Sequence, residues 1–483
     1  MRYTKIATIC PFEGAPSLNH PSLFGASPKK PILFRIPASG ERPMTFGAKG
    51  LPAGLSLEGN LITGRVSEEG NYDVTLIVEN AKGRCEKTIT FEIKEGNVLI
   101  TPLLGFTSWN AYGSDVKQED LVSVAKRMVQ SGIAEYGYCY VNLDSGWQHA
   151  YGGEFDAIMP NEKFPDMKEM TDDIHALGLK CGIYSTPMVT AWGCPKELPS
   201  IPGCTTGDPD FRFTSMNGGI GVVHKEWNNA RQWEAWGFDY LKYDWSPSDP
   251  VNAELMRSEL VKLDRDFGFC VTVKAMPEYD EYWSKHCNSY RDNTDSHGYW
   301  ENFKLIYATY FKHYPFINRG HYFDLDMLDV GTCRLPKVKN ELSEDEQILV
   351  FSARAFLNSP IQISSTLEKL TDFELSLYCN NEILAINQDE AFCTATPILM
   401  CEEDGSMVHV YEKTLKDKSY AYAIFNLGQN EKHVKMTFDG ESLLRDIWAK
   451  TDMGRYEEIL IPTHAHTVRI IKADKKHNVI ECI

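Results

Sequence analysis

The chain has 483 residues, 43% of them hydrophobic, which is enough for a large buried core and too many for one ordinary domain. Its 49 basic and 67 acidic residues give a formal charge of −18, which excludes the basic footprint of a nucleic-acid-binding protein. No apolar run of about 18 residues is present to make a membrane-spanning helix, and none of the 13 cysteines falls in a CxxC pair, so no zinc or redox motif appears.

The first residues, MRYTKIATICPFEGAPS, lack the continuous apolar stretch of a signal peptide. With cysteines scattered and unpaired, a cytoplasmic location is expected. Residues 1–30, with Pro11, Pro16, Pro21 and Pro28, read as irregular. A β pattern follows: Tyr72, Val74, Leu76 and Val78 alternate with polar positions, as do Ile89, Phe91 and Ile93. Period two means one buried face. Turn residues at Gly54, Gly59-Asn60, Gly64 and Gly70-Asn71 separate the runs. The stretch GLPAGLSLEGNLITGRVSEEGNYDVTLIVEN resembles Ig-like modules, so residues 1–97 are expected to form an N-terminal segment and an Ig-like β-sandwich.

From about residue 98 to 392 strand and helix patterns alternate. Leu121, Val124, Ala125 and Met128 share one helical face, as do Met167, Met170, Ile174 and Leu177. Strand segments occur in the order GFTSWN, YCYVNLD, CGIYS, DYLKYD, FCVTV, SYRDN, HYFDLD and PIQISS. Eight βα units predict a (β/α)8 TIM barrel. A doubly wound open sheet is the alternative, but no GxGxxG turn follows the first strand. Residues 393–483, with MVHVYEK, YAYAIFNL, KMTF and RIIK, read as a C-terminal antiparallel β-domain of sandwich type.

A TIM barrel carries its site at the C-terminal ends of its strands. Asp144, Asp244, Asp295 (reached through Arg291), Asp324 and Asp326 all fall there. Any one of them could cap a helix, but several on one rim require another account. No phosphate-cradling loop and no HExxH helix is present to suggest metal work. Glycoside hydrolysis needs only two carboxyl groups, one to attack the anomeric carbon and one to protonate the leaving oxygen. Lys242 and Arg291 would keep the first ionised. Aromatics at 12% suit sugar binding, since C–H faces pack on rings.

The ordered segments TPLLGFTSWNAYG, YVNLDSGWQ, PNEKFPDMK, GLKCGIYS, YLKYDW, RDNTD, DLDML, SPIQIS and AINQD resemble the α-galactosidases of glycoside hydrolase family 27 over residues 101–472. The resemblance implies a retaining, exo-acting α-glycoside hydrolase with a carbohydrate substrate and no cofactor. By motif, Asp244 matches the nucleophile and Asp295 the acid/base. Lys242, Trp109, Asp144, Arg291, Tyr184 and Asp326 match residues that line the sugar pocket. The chain departs from the pattern at Ser145, where a second carboxylate usually follows Asp144, and at Lys274, where small or polar residues are usual. Both departures put galactose specificity in question and leave the catalytic pair intact. Asp295 is expected to have a raised pKa, from burial and from the charge of Asp244. The alternative is a barrel without activity that only binds carbohydrate.

Overall fold

The computed structural model describes residues 3–187, 189–191, 217–219, 224–272, 274–403 and 405–483. Near the N-terminus, Leu23–Ala26, Gly83–Ile93, Gly70–Asn80 and Thr45–Lys49 form a four-stranded sheet in that order. Ile32–Arg35, Leu61–Gly64 and Leu55–Glu58 form a second sheet of three. Val74, Leu76, Val78, Ile89 and Phe91 point inward and pack on Phe34 and Ile62 of the other sheet. This is the small sandwich that the alternation predicts, with the Ig-like character that the resemblance implies. The expectation of an irregular stretch over residues 1–30 is corrected: Ser17–Leu18 and Leu23–Ala26 are strands, the latter parallel to Gly83–Ile93. At two and four residues, and beside prolines, they are too short to show a period.

The module packs on the barrel. Glu135, almost fully buried, pairs with Arg35 at 2.7 Å and Arg42 at 3.0 Å. Arg35 also donates to the Leu177 carbonyl (2.9 Å), and Asp266 accepts from the Ser27 N–H (2.7 Å). Glu135, Leu177 and Asp266 all stand just before barrel strands, so the module covers the N-terminal ends of the strands.

The barrel strands are β1 (Leu104–Thr107), β2 (Tyr140–Asn142), β3 (Lys180–Ser185), β4 (Tyr240–Asp244), β5 (Gly268–Thr272), β6 (Ser289–Tyr290), β7 (Tyr322–Phe323) and β8 (Ile361–Ile363). All pair in parallel, in the spatial order 8-1-2-3-4-5-6-7. A parallel bridge between Leu328 and Ile363 closes the ring. These strands fall, one each, on the eight predicted segments; the last residue of FCVTV, Val273, lies outside the described residues. Helices follow the strands, with Asp166, Asp249 and Ser343 as side-chain N-caps. The helix after β4 is thus capped by Asp249, which leaves Asp244 for other work.

Beyond the barrel, Thr396–Cys401, Val408–Thr414, Tyr420–Asn426, Lys432–Asp446, Thr451–Thr463, Thr467–Ala473 and His477–Cys482 form one antiparallel sheet of seven strands. It packs on two barrel helices: Tyr411 meets Tyr307 (OH to OH 2.6 Å), and the Trp448 indole donates to Ser352 (2.8 Å).

Candidate active site

In β4 the alternation of YLKYD divides its side chains. Leu241 and Tyr243 join the apolar layer under the helices. Lys242 and Asp244 therefore face the barrel interior, because successive strand residues point to opposite sides. The Tyr184 hydroxyl of β3 donates to Asp244 Oδ2 at 2.8 Å. Asp244 Oδ1 is buried with no hydrogen-bond partner among the described residues. Lys242 Nζ lies 2.7 Å from Asp144 Oδ2, and the other Asp144 oxygen accepts from the Ser145 N–H at 2.7 Å. Asp144 is further held by its own N–H on Ser108 Oγ, 2.9 Å. The ends of β2, β3 and β4 thus share one hydrogen-bonded cluster.

A second cluster stands at β6 and β7. Arg291, buried, pairs with Asp326 through Nη1 and lies 3.0 Å from Asp295 Oδ1 through Nη2. Asp326 takes a positive φ of 65° and accepts from the Ser296 N–H at 2.6 Å. Its loop is pinned from below by Arg354. That buried guanidinium donates to the carbonyls of Leu325 (2.9 Å), Asp326 (3.0 Å) and Met327 (2.7 Å). Asp295 Oδ2 accepts from Lys337 at 2.7 Å, and the Lys337 ammonium sits 5.8 Å from the centre of the Trp109 ring. Ser145 is buried beside Asp144. Lys274, on the loop after β5, is exposed with φ 59°, and its carbonyl accepts from the Ser248 N–H at 3.2 Å.

The electrostatics of the two carboxyl groups are unequal. Burial pushes Asp244 up to about 7; Lys242, Arg291 and the Tyr184 hydroxyl offset part of that push, and the charge of Asp295 adds to it. Burial also acts upward on Asp295, but Arg291 and Lys337 outweigh it and hold that carboxyl well below the ordinary range. The expectation of a raised Asp295 is therefore corrected for the free site. The cause is Arg291 together with Lys337, the second of which the sequence reading did not include. Burial alone would lower Lys242, yet Asp144, Asp326 and Asp244 together outweigh it and the amine stays charged. Burial and the neighbouring Asp326 push Asp324 up to about 6.

Three further residues escaped the sequence reading. Lys337 and Arg354 lie in a loop and a helix with no motif of their own. Asp329 accepts from the Asn110 side chain (2.7 Å) and the Gly298 N–H (3.1 Å), tying the loop after β6 to the helix that starts at Trp109. Among the described residues, no group of three or more His, Cys, Asp or Glu side chains is placed to hold a metal ion. The carboxylates at the rim are matched instead by Lys242, Arg291 and Lys337. No helix of the described residues is long and apolar enough to cross a membrane.

Two family models match the chain: "Alpha galactosidase A" over residues 102–202 and 210–389, and "Putative Ig domain" over residues 15–94. Alpha-galactosidase A of Cellvibrio japonicus is 27% identical over 416 residues, covering 77% of this chain and 91% of the relative. A Bacteroides fragilis structure described as a "putative alpha-galactosidase/melibiase" superposes with a TM-score of 0.83 at 27% identity, over 96% of this chain and 98% of the other. A second structure from the same organism, at 24% identity and a TM-score of 0.81, shares the fold over 97% of this chain and 99% of its own. With more than half of its length matched by the first model, this chain belongs to the alpha galactosidase A family and is a glycosidase.

Proposed function

We propose that the chain is a retaining, exo-acting α-glycoside hydrolase in which Asp244 is the nucleophile and Asp295 the acid/base. The observation that carries this reading is the environment of Asp244. It faces the barrel interior at the end of β4 and is held by Tyr184, while Asp295 stands apart on Arg291 and Lys337. Below about pH 7 the two carboxyl groups together hold one proton, because Asp244 titrates near 7 and Asp295 far lower. Retention needs that proton on Asp295, so that Asp244 attacks the anomeric carbon while Asp295 protonates the leaving oxygen and later activates water. The proton crosses from Asp244 to Asp295 when the sugar separates Asp295 from its cations.

The sugar is proposed to differ from simple galactose at O4, O6 or O2. Ser145 supports this: where a second carboxylate would accept strongly from a sugar hydroxyl, a neutral hydroxyl gives a weaker bond and more room. The scattered cysteines support a cytoplasmic location. The mechanism is tested by proton NMR of the first-formed product from an aryl α-glycoside, with Asp244→Gly alongside. Net retention is expected, with loss of nearly all turnover in the variant and partial rescue by azide. An inverted product, or more than about 5% residual activity in purified variant, overturns the assignment.

A further inference from the structure

The loop after β7 carries three cations within six residues, Arg334, Lys337 and Lys339, in a chain whose net charge is −18. Each stands over an aromatic ring: Arg334 on Tyr112 at 5.3 Å, Lys337 on Trp109 at 5.8 Å, Lys339 on Tyr299 at 4.2 Å. The loop is fixed at both ends to the walls of the site. The N–H groups of Arg334 and Leu335 donate to the Asn110 carbonyl (2.9 and 3.1 Å), next to Trp109. Those of Lys339 and Glu341 donate to the carbonyls of His297 and Gly298 (3.0 and 2.9 Å), just past Asp295. Glu368, 3.8 Å from Arg334, balances the first of the cations. Lys337 and Lys339 remain exposed.

The two oxygens of Asp295 face opposite ways. Oδ1 meets buried Arg291; Oδ2 meets Lys337, which is 39% exposed. The leaving group departs on the side of the acid, past its outer oxygen. On the reading of Asp295 as the acid, Lys337 thus stands on the path by which the leaving group would depart.

We propose that this rim, with Lys337 at its centre and Lys339 beside it, is a recognition site for a leaving group that bears a carboxylate or sulfate. The inference rests on the glycosidase reading above. An anionic substituent draws the Lys337 ammonium off Asp295 into a charge-assisted bond of its own. Asp295 then loses one of its two cations and takes the proton that Asp244 carried; no proton enters or leaves the site. Trp109, freed of the ammonium, offers its face to the sugar or its aglycone. A neutral leaving group must displace the same lysine without compensation.

The test takes the sugar whose 2,4-dinitrophenyl α-glycoside, a substrate that needs no acid, is cleaved fastest, and compares kcat/KM on its 4-carboxyphenyl and 4-carbamoylphenyl α-glycosides. The full-length wild-type chain is expected to prefer the carboxylate by about tenfold, the scale of one charge-assisted bond. Lys337→Met is expected to lose that preference, and Lys337→Glu to reverse it, favouring the 4-(aminomethyl)phenyl α-glycoside of the same sugar. Because Lys337 is exposed, both variants should melt with the parent, which a thermal scan checks. Equal rates on the two phenyl glycosides in the wild type, or a preference that survives Lys337→Met, overturn the assignment while leaving the hydrolase reading intact. Failure to cleave even the dinitrophenyl substrate, or any other aryl α-glycoside, removes both.

Discussion

Lys242 Nζ reaches 2.7 Å to Asp144 Oδ2, spanning from β4 to β2 above Tyr184 of the strand between them. Both side chains are largely withdrawn from water, at 15% and 4% exposure, so neither charge is well hydrated without the other. Lys242→Met should cost about 3 kcal/mol of stability, because it leaves Asp144 buried and unpaired. The double variant Lys242→Met/Asp144→Asn should recover most of that loss. Urea unfolding of the two proteins decides it; equal losses would mean that the pair is not coupled.

Asp295→Ala should separate substrates by leaving group. On 2,4-dinitrophenyl glycosides the first step needs no proton, and the loss in kcat/KM should be under about tenfold. On disaccharides it should reach about 10²–10⁴, the usual contribution of general acid catalysis. Parallel losses on both classes would remove Asp295 from the acid role.

The pH dependence follows from the shared proton. Asp244, pushed up to about 7, is the group whose ionisation strips the pair of its last proton. The alkaline limb of kcat/KM on a poor leaving group should therefore fall near pH 7, and should flatten on the dinitrophenyl substrate. Stability moves in the same window. The folded chain keeps the Asp244 proton up to about pH 7, whereas the unfolded chain loses it near the ordinary carboxylate value of about 4. Between those values the folded state binds more protons, so this residue's contribution to stability declines as pH rises. Asp244→Asn should thus melt higher than the wild type at pH 8, by on the order of 2 °C, and lose that advantage below about pH 4. An advantage independent of pH would contradict the raised value.

Ser145→Asp restores the carboxylate pair at the end of β2. It should raise kcat/KM on aryl α-galactoside relative to other aryl α-glycosides by about tenfold. A wild-type value for galactoside at or above about 10⁴ M⁻¹s⁻¹, unmatched by any other sugar, would instead mark an ordinary α-galactosidase.

The barrel was legible because its strands are buried on both faces. Runs such as YVNLD and YLKYD are apolar up to a final carboxylate, and that ending falls at the rim. Asp144, Lys242 and Asp244 came from this local pattern. Lys337 did not, since it meets Asp295 across 42 residues of chain from a loop with no period. The expected pKa of Asp295 was inverted because burial and Asp244 were weighed without the two cations on its oxygens: Arg291 was assigned to the nucleophile, and Lys337 was not seen. Arg354 was hidden for the opposite reason. It sits in the buried run ILVFSARAF, where a helix periodicity marks core, and only its carbonyl partners show that it braces the turn at Asp326.

The Ig-like module, seated through Arg35 and Arg42 on Glu135, lies at the end of the barrel away from the catalytic rim. A glycan held in the pocket therefore cannot rest on it, and any sugar it bound would be a separate molecule or a distant branch. Cutting the chain between module and barrel would not liberate a minimal enzyme. It would strand the Glu135 carboxylate without its two counterions and uncover Leu103, Leu104 and Tyr140, which line one cleft with Leu23, Phe24 and Phe34 of the module. In this architecture the first ninety-odd residues are a foundation slab, and the other end offers no easier cut, because Tyr411, Phe425, Trp448 and Ile470 of the C-terminal sheet share the barrel's own core.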